Sequence, residues 1–474
     1  MFKQFITFAV GPFLGALISL ASIPIITRII SPSDYGVLNL FMSLFSFIYI
    51  FISFPDYSFA KEYHAYSKKK LSRYLLWNTT SISLTIGVLL NFLIVIFSKT
   101  LAIQIFDDES LYLLFILLGI MLLFATFDRF SQISLRMQGF GLKFSMINIG
   151  NKLFVLFFTI LFVSVFSKHY APAILAFGFA QILTSIVSIY FNKSKWSLRD
   201  IKLNYGLQWN LFKLSLPMLP SSVIMWGLNS LAIVMLNFYS SHYEIGIYSG
   251  AQKIANILTI IQTAFMSFWM PMALKWEYDK VNTKEFTKVN ELLLFVMTTI
   301  FLIVVLFKEV FILLLGSEFS TAIYLVPLTL FFPIMYTLSE AIGVGFALKG
   351  KVIYNLIASG ISLIFFVLIG IILIPRLGGI GAAISTAMSY TLLFWIKTIV
   401  AKRVWYDFNI RNYLFSTILL VMISIINLEL NISRGSIYIL NTIFLLTYLL
   451  VNKKYLILLY RELTNFISKK VKKT

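Results

Sequence analysis

Ser110 to Asp128 reads SLYLLFILLGIMLLFATFD, an unbroken apolar run with its single charge at the last residue. An α-helix needs roughly 20 such residues to cross the hydrocarbon core of a bilayer. The strands of a membrane β-barrel would be about ten residues long and would alternate polar with apolar. Neither feature is present here, so this stretch predicts a membrane-spanning helix. Working outward, comparable runs fall at 5–26, 37–59, 75–97, 145–166, 172–191, 213–239, 246–272, 289–312, 323–347, 354–374, 380–400, 413–428 and 435–451. Together they predict an all-α polytopic membrane protein with about 14 transmembrane helices. Pro12, Pro217, Pro220, Pro271 and Pro333 lie within or at the ends of spans, where packed helices tolerate kinks.

The totals agree. Of 474 residues, 59% are apolar, 17% aromatic and 12% charged, with a mean hydropathy of +0.89. A soluble domain carries roughly twice that charged fraction, and no segment is polar enough to cover one. The net charge of +20 would suggest nucleic acid in a soluble protein. In a membrane protein it reports loops facing anionic headgroups. There is no cysteine, which excludes disulfides and thiolate metal sites, and His64, His169 and His242 have no metal-ligand spacing.

Loop charge sets the orientation. With Lys3 placed inside and the spans alternating, 32 of the 39 basic residues fall on the inner side. Only Arg28, Lys99, Lys168, Lys253, Lys308, Arg376 and Arg434 fall outside. This is the positive-inside rule, and it places both termini in the cytoplasm. Outer loops are about five to twelve residues, which leaves no room for an external catalytic domain. The tail from Tyr455 to Thr474 reads as a basic interfacial helix.

Three matches recur near an offset of 210. Asp34-Tyr35-Gly36-Val37 returns as Glu244-Ile245-Gly246-Ile247, and Gln138-Gly139 returns as Lys349-Gly350. Pro172 to Ala176 lies opposite Gly381 to Ser385. Six spans fit in this period, an even number, so two parallel six-helix repeats would enclose a central cavity. The division this implies is an N-terminal lobe (1–192), a cytoplasmic linker (193–212) and a C-terminal lobe (213–404). Two additional helices (405–452) and the tail (453–474) follow.

The repeat also points to a site. Ser249, Gln252, Lys253, Asn256, Thr259, Thr263 and Ser267 fall within about 120° of arc on one helix. Asn39, Ser43, Ser46, Ser53 and Tyr57 share a face 210 residues earlier. Lipid would not accept either stripe, so each borders a polar cavity or serves as polar glue between helices. Arg28 at the end of the first span is either an interfacial arginine or a cavity cation. Lys253 lies seven residues past Gly246, about 10 Å down its helix. An unpaired cation at that depth costs roughly 2.5–3.5 kcal/mol, which favours a functional reading. Asp56 and Glu340 are candidate proton or Na⁺ coupling sites, with a structural ion pair as the alternative for each. Arg129 and Arg136 flank the inner mouth, as positive-inside placement alone would put them. Asp107-Asp108-Glu109 could hold a metal for glycosyl transfer, but reads better as acidic residues at a helix start. No phosphate-binding glycine loop is present, so the energy must come from an ion gradient or from the substrate's own gradient.

Arg28-Ile29-Ile30-Ser31-Pro32-Ser33-Asp34-Tyr35-Gly36 resembles a signature of the bacterial polysaccharide (O-antigen) flippases of the multidrug/oligosaccharidyl-lipid/polysaccharide exporter superfamily. Ile245 to Ile254 is similar to the family's second-half signature, and Leu135 to Gly139 and Pro375 to Ala383 resemble further family segments. The resemblance covers spans one to twelve. It implies translocation of an undecaprenyl-pyrophosphate-linked oligosaccharide from the cytoplasmic to the periplasmic leaflet by alternating access, for surface polysaccharide such as O-antigen or capsule. It also gives Arg28 and Lys253 a task, clamping an anionic headgroup, with Asn39, Ser43, Ser46, Gln252, Asn256 and Thr263 lining the path. The expected setting is the bacterial inner membrane, with lipid-linked oligosaccharide, lipids and other polysaccharide assembly proteins as partners, no nucleic acid, and no cofactor beyond a coupling H⁺ or Na⁺. The rivals are a multidrug or organic-cation antiporter of the same superfamily and a membrane glycosyltransferase or polymerase.

Overall fold

A computed structural model describes residues 2–106, 108–197, 201–428, 433–458 and 461, with the backbone alone for 2–9. The tail beyond 461, where the interfacial helix is expected, lies outside the described residues, as do Asp107 and Arg199. Among the described residues every regular element is helical. In order they are α1 (Phe2–Ile29), α2 (Pro32–Ser53), α3 (Asp56–Lys68), α4 (Ser72–Ile96), α5 (Ser98–Phe106), α6 (Tyr112–Met137), α7 (Gly141–Val165) and α8 (Tyr170–Phe191). There follow α9 (Tyr205–Ser215), α10 (Leu219–Tyr239), α11 (His242–Ala255), α12 (Leu258–Tyr278), α13 (Thr283–Leu306) and α14 (Lys308–Leu315). The last are α15 (Val326–Thr329), α16 (Phe331–Leu348), α17 (Ile353–Val404), α18 (Arg411–Leu428) and α19 (Arg434–Val451).

Among the described residues, twelve helical stretches are long and apolar enough to cross a membrane, and α11 with α12 forms a further, bent one. α17 runs for 52 residues but breaks at Gly378, whose φ of 53° combined with ψ of −129° favours a residue without a side chain. Its two arms match the expected spans 354–374 and 380–400. With α17 taken as two spans and the bent pair as one more, twelve become the expected fourteen. The seventh span begins earlier than the apolar run suggests, at Tyr205 rather than 213, because Asn204 caps α9 through a bond to the Leu207 N–H. The acidic stretch behaves as helix-start chemistry. Asp108 accepts from the Ser110 N–H at 2.8 Å, and Glu109 pairs with Lys99 at 2.9 Å.

The outward faces are apolar. Phe92, Leu89, Leu368 and Ile364 are all more than half exposed, as expected of side chains solvated by acyl chains. Polar side chains such as Thr80, Ser83 and Ser131 are buried instead.

The internal repeat is written into the backbone. α2 begins at Pro32 and α3 ends at Lys68; α11 begins at His242 and α12 ends at Tyr278, each 210 residues on. Lys70 and Lys280 both adopt positive φ, 60° and 52°, at the same offset. Gly139 and Gly350, with φ of 81° and 68°, close α6 and α16 in the same left-handed turn. The short helix α5 reappears as α14. Two copies of one chain path explain why a non-glycine residue sits twice at an unfavourable φ.

The chain divides into two compact units, Met1–Ser249 and Gly250–Thr474. In the first, α1 packs along α7, and α6 packs between α4 and α8. Its aromatic core joins Phe59, Tyr63, Phe130 and Trp196 with Leu75, Leu76 and Leu211. In the second, α16 packs along α17, and the buried Trp269 of α12 donates to the Ala341 carbonyl of α16 at 3.0 Å. Asn427 and Asn441 exchange amide hydrogen bonds at 3.0 and 3.2 Å, fastening α18 to α19. Such polar exchange holds helices together where lipid offers no hydrophobic gain on association.

Candidate functional site

α2 starts where Ser31 caps Asp34 and Pro32 fills the first helical turn, a position that needs no N–H. The Asp34 carboxylate takes a 2.5 Å bond from the Ser31 hydroxyl and a 3.0 Å bond from the Tyr170 N–H, tying α2 to the start of α8. Gly36 then lies directly against α11. A Cβ on Gly36 would meet the His242 carbonyl oxygen at 2.0 Å, and one on Gly246 would meet that of Pro32 at 1.8 Å. The two motif glycines, separated by the repeat offset, are the places where the first turns of α2 and α11 touch.

Further along α2 the polar stripe is covered. Asn39 donates to the Tyr35 carbonyl at 2.7 Å, and Ser46 to the Ser43 carbonyl at 2.8 Å. Trp226 of α10 sits over both serines, its indole N–H reaching the Ser46 hydroxyl at 3.1 Å and the Ser43 carbonyl at 3.2 Å. Ser43 is only 4% exposed. In this state, this part of the stripe fastens α10 to α2. Arg28, in contrast, is exposed and has no polar partner among the described residues.

The second-half stripe has different surroundings. α11 and α12 meet at a 44° break after Ala255, beside Asn256. Gln252, Lys253 and Asn256 are half-buried around it, and Thr263 and Ser267 are exposed. Among the described residues, the hydroxyls of these last two bond only to carbonyls of their own helix, Thr263 to Thr259 at 2.8 Å and Ser267 to Ala264 at 2.8 Å. No carboxylate lies within ion-pair distance of the Lys253 ammonium among the described residues. An ammonium at the head of a stripe of exposed hydroxyls can receive an anion.

Of the remaining candidates, Asp56, Arg129 and Glu340 are drawn into ion pairs. Arg129 of α6 donates Nε to the Asp56 carboxylate at 2.6 Å, with a second contact from its terminal nitrogen. An acid and a base chosen for separate roles thus meet, 73 residues apart in sequence. Arg136 stays exposed, its guanidinium 5.4 Å from the Phe144 ring centroid. In the second unit Glu340 of α16 accepts from Lys397 of α17 at 2.6 Å. The two pairs differ in burial, since Arg129 is 43% exposed and Lys397 only 2%. Removing one partner of a deeply buried pair strands a charge, at about 3–5 kcal/mol. A half-exposed arginine recovers water and loses less, about 1 kcal/mol. Glu340→Gln should therefore lower thermal stability in detergent several-fold more than Asp56→Asn, and Glu340→Gln with Lys397→Met should recover much of the loss. Equal losses from the two single variants would refute this ordering.

Asp128 carries no signal in the sequence, because it closes an apolar run and is followed directly by Arg129. It lies inside α6, 8% exposed. Gln132 donates to both carboxylate oxygens at 2.9 Å, and the Ser188 hydroxyl of α8 donates to one of them. Gln132 is in turn reached by the Asn148 amide of α7 at 3.4 Å.

Residues 1–277 match the profile of the family described as "Polysaccharide biosynthesis protein". A curated relative, the probable low-salt glycan biosynthesis flippase Agl15 of Haloferax volcanii, is 22% identical over 222 residues, which is 46% of this chain and 44% of the relative. The chain therefore spans about half the length of that relative. Among solved structures, the lipid II flippase MurJ in an inward closed conformation superposes with a TM-score of 0.73 at 15% identity, covering 97% of this chain and all of MurJ. An inward-facing multidrug resistance MATE transporter of the MOP superfamily gives 0.63 at 14% identity, over 82% of this chain and 94% of that one. At such identities the structural likeness establishes the fold, that of polytopic membrane transporters, and the profile match establishes the kinship. The chain is a multi-pass membrane protein that belongs to the polysaccharide biosynthesis protein family.

Proposed function

We propose that this protein is a flippase for a lipid-linked oligosaccharide, of the undecaprenyl-pyrophosphate type, moving it from the cytoplasmic to the outer leaflet by alternating access. Its setting is a bacterial cytoplasmic membrane with both termini inside, and its product feeds a surface polysaccharide such as O-antigen or capsule. The observation that carries this reading is Lys253: a half-buried cation with no acidic neighbour among the described residues, at the bend of α11 and α12 and heading a stripe of exposed hydroxyls. A diphosphate headgroup supplies the anion such a site lacks, through charge-assisted hydrogen bonds. Hydroxyls along the same face suit sugar. Family membership and flippase-named relatives support the same class of substrate. Arg28 is a further exposed cation, at the end of α1. The protein acts as a carrier rather than an enzyme.

The MATE likeness admits a second reading, export of cationic drugs. Such a substrate calls for acidic residues in the path, and Lys253 would repel it. Deleting the coding sequence separates the two. The flippase reading expects undecaprenyl-linked repeat units to accumulate on the cytoplasmic leaflet, with drug tolerance unchanged. A strain that accumulates none and becomes drug-sensitive would reverse the choice.

A further inference from the structure

We infer that Asp128 is the binding site for a small monovalent cation, a proton or a sodium ion, that drives the cycle of the transporter proposed above. The carboxylate is more than nine-tenths buried inside a membrane-spanning helix, and the groups that touch it are neutral: Gln132 at 2.9 Å to each oxygen and the Ser188 hydroxyl. No ammonium or guanidinium lies within ion-pair distance of it among the described residues. The adjacent Arg129 is engaged by Asp56 at 2.6 Å.

The internal repeat shows what is missing. Ser188 plus the 209-residue offset that relates Pro172 to Gly381 is Lys397. At the 211-residue offset that relates Gly139 to Gly350, Asp128 corresponds to Ser339, and Glu340, the next residue, corresponds to Arg129. In the second half, then, the acid of the tenth span carries a built-in ammonium from the twelfth, Lys397 to Glu340 at 2.6 Å. In the first half the same two spans pair an acid with a hydroxyl. One half is permanently neutralised, and the other needs a cation from solution. An isolated buried carboxylate is expensive in a bilayer, so it takes up a cation whenever one can reach it. A bound proton would be shared with the Ser188 hydroxyl oxygen, and sodium would find that oxygen and those of the carboxylate as ligands.

Other charged or titratable groups border this region. Arg129 and Arg136 lie on the same helix, Asp56 on α3, Tyr49 on α2, and Lys152 on α7 one turn beyond Asn148. The helix α8 contributes only the neutral Gln181 and Ser188. Lys152 is therefore the group that could compete with an external cation, and the test must include it.

The experiment uses the full chain in lipid nanodiscs, without any sugar substrate, so its outcome is independent of whether the transported molecule has been identified correctly. Infrared difference spectra follow the carbonyl stretch of a protonated carboxylic acid on acidification, first in choline and then in sodium. The wild type should show a titrating band that Asp128→Asn removes and Asp56→Asn keeps. Suppression of that band by sodium at fixed pH would assign sodium as the ligand, and insensitivity to sodium would assign the proton. Ser188→Lys should supply the fixed ammonium of the second half, abolishing both responses while the protein still folds. The proposal is overturned if Asp128→Asn titrates and responds to sodium as the wild type does, or if the band emerges only after Lys152→Met, which would show Lys152 to be the resident counter-ion.

Discussion

Lys253→Ala is expected to abolish transport while leaving expression, membrane insertion and thermal stability at or above wild type. Hydrogen bonds to a charged group contribute about 1.5–3 kcal/mol, so losing the ammonium should weaken headgroup binding roughly tenfold to a hundredfold. The same change relieves the protein of a cation inside a span, a burden of roughly 2.5–3.5 kcal/mol at full depth on insertion scales. Function and stability therefore move in opposite directions, and few structural lysines would behave so. Lys253→Arg keeps the charge and should retain part of the activity. The measurement is translocation of a labelled lipid-linked oligosaccharide in proteoliposomes, together with a melting curve of the same preparation. Undiminished transport by Lys253→Ala would remove this residue from the path. A fall in stability matching the fall in transport would make it a structural residue instead.

The second large effect concerns the glycines that bring α2 and α11 together. Helix propensity alone says that Gly246→Ala should stabilise α11 by up to about 1 kcal/mol. Geometry says otherwise. The added methyl would stand 1.8 Å from the Pro32 carbonyl oxygen and 2.6 Å from its carbon, backbone atoms that no rotamer change can move aside. Gly36→Ala meets the His242 carbonyl at 2.0 Å in the same way. Overpacking a tight contact usually costs about 1–3 kcal/mol and more when the backbone must shift, so sterics should outweigh propensity and either variant should melt markedly lower. The two share one contact, so the double variant should lose much less than the two single losses combined. Gly435→Ala is the control, since among the described residues nothing lies within 4 Å of the added carbon. It should be neutral or slightly stabilising. If Gly246→Ala melts no lower than Gly435→Ala, the close approach of α2 and α11 is not what holds their first turns together.

Topology could be read from the chain because bilayer crossing is a local requirement. A run such as 110–128 is long and apolar enough to span wherever its neighbours lie, and the excess of basic loops on one side adds the orientation. The repeat was legible too, since a duplicated path needs the same turn chemistry twice: Gly139 and Gly350 at positive φ, and Gly36 and Gly246 where backbones touch. Lys253 stood out because a cation at span depth is costly whichever helices surround it. What each polar residue faces was not legible. Asp56 meets Arg129 across 73 residues, and Glu340 meets Lys397 across 57. Trp226 covers Ser43 and Ser46 from 180 residues away or more, so two stripes that match in sequence differ in surroundings. Asp128 shows the same limit, since its neutral neighbours arrive from α8 and from the next turn of α6. Sequence periodicity gives the face of a helix on which a side chain lies. The partner on that face depends on how helices distant in the chain pack, and only the tertiary structure decides that.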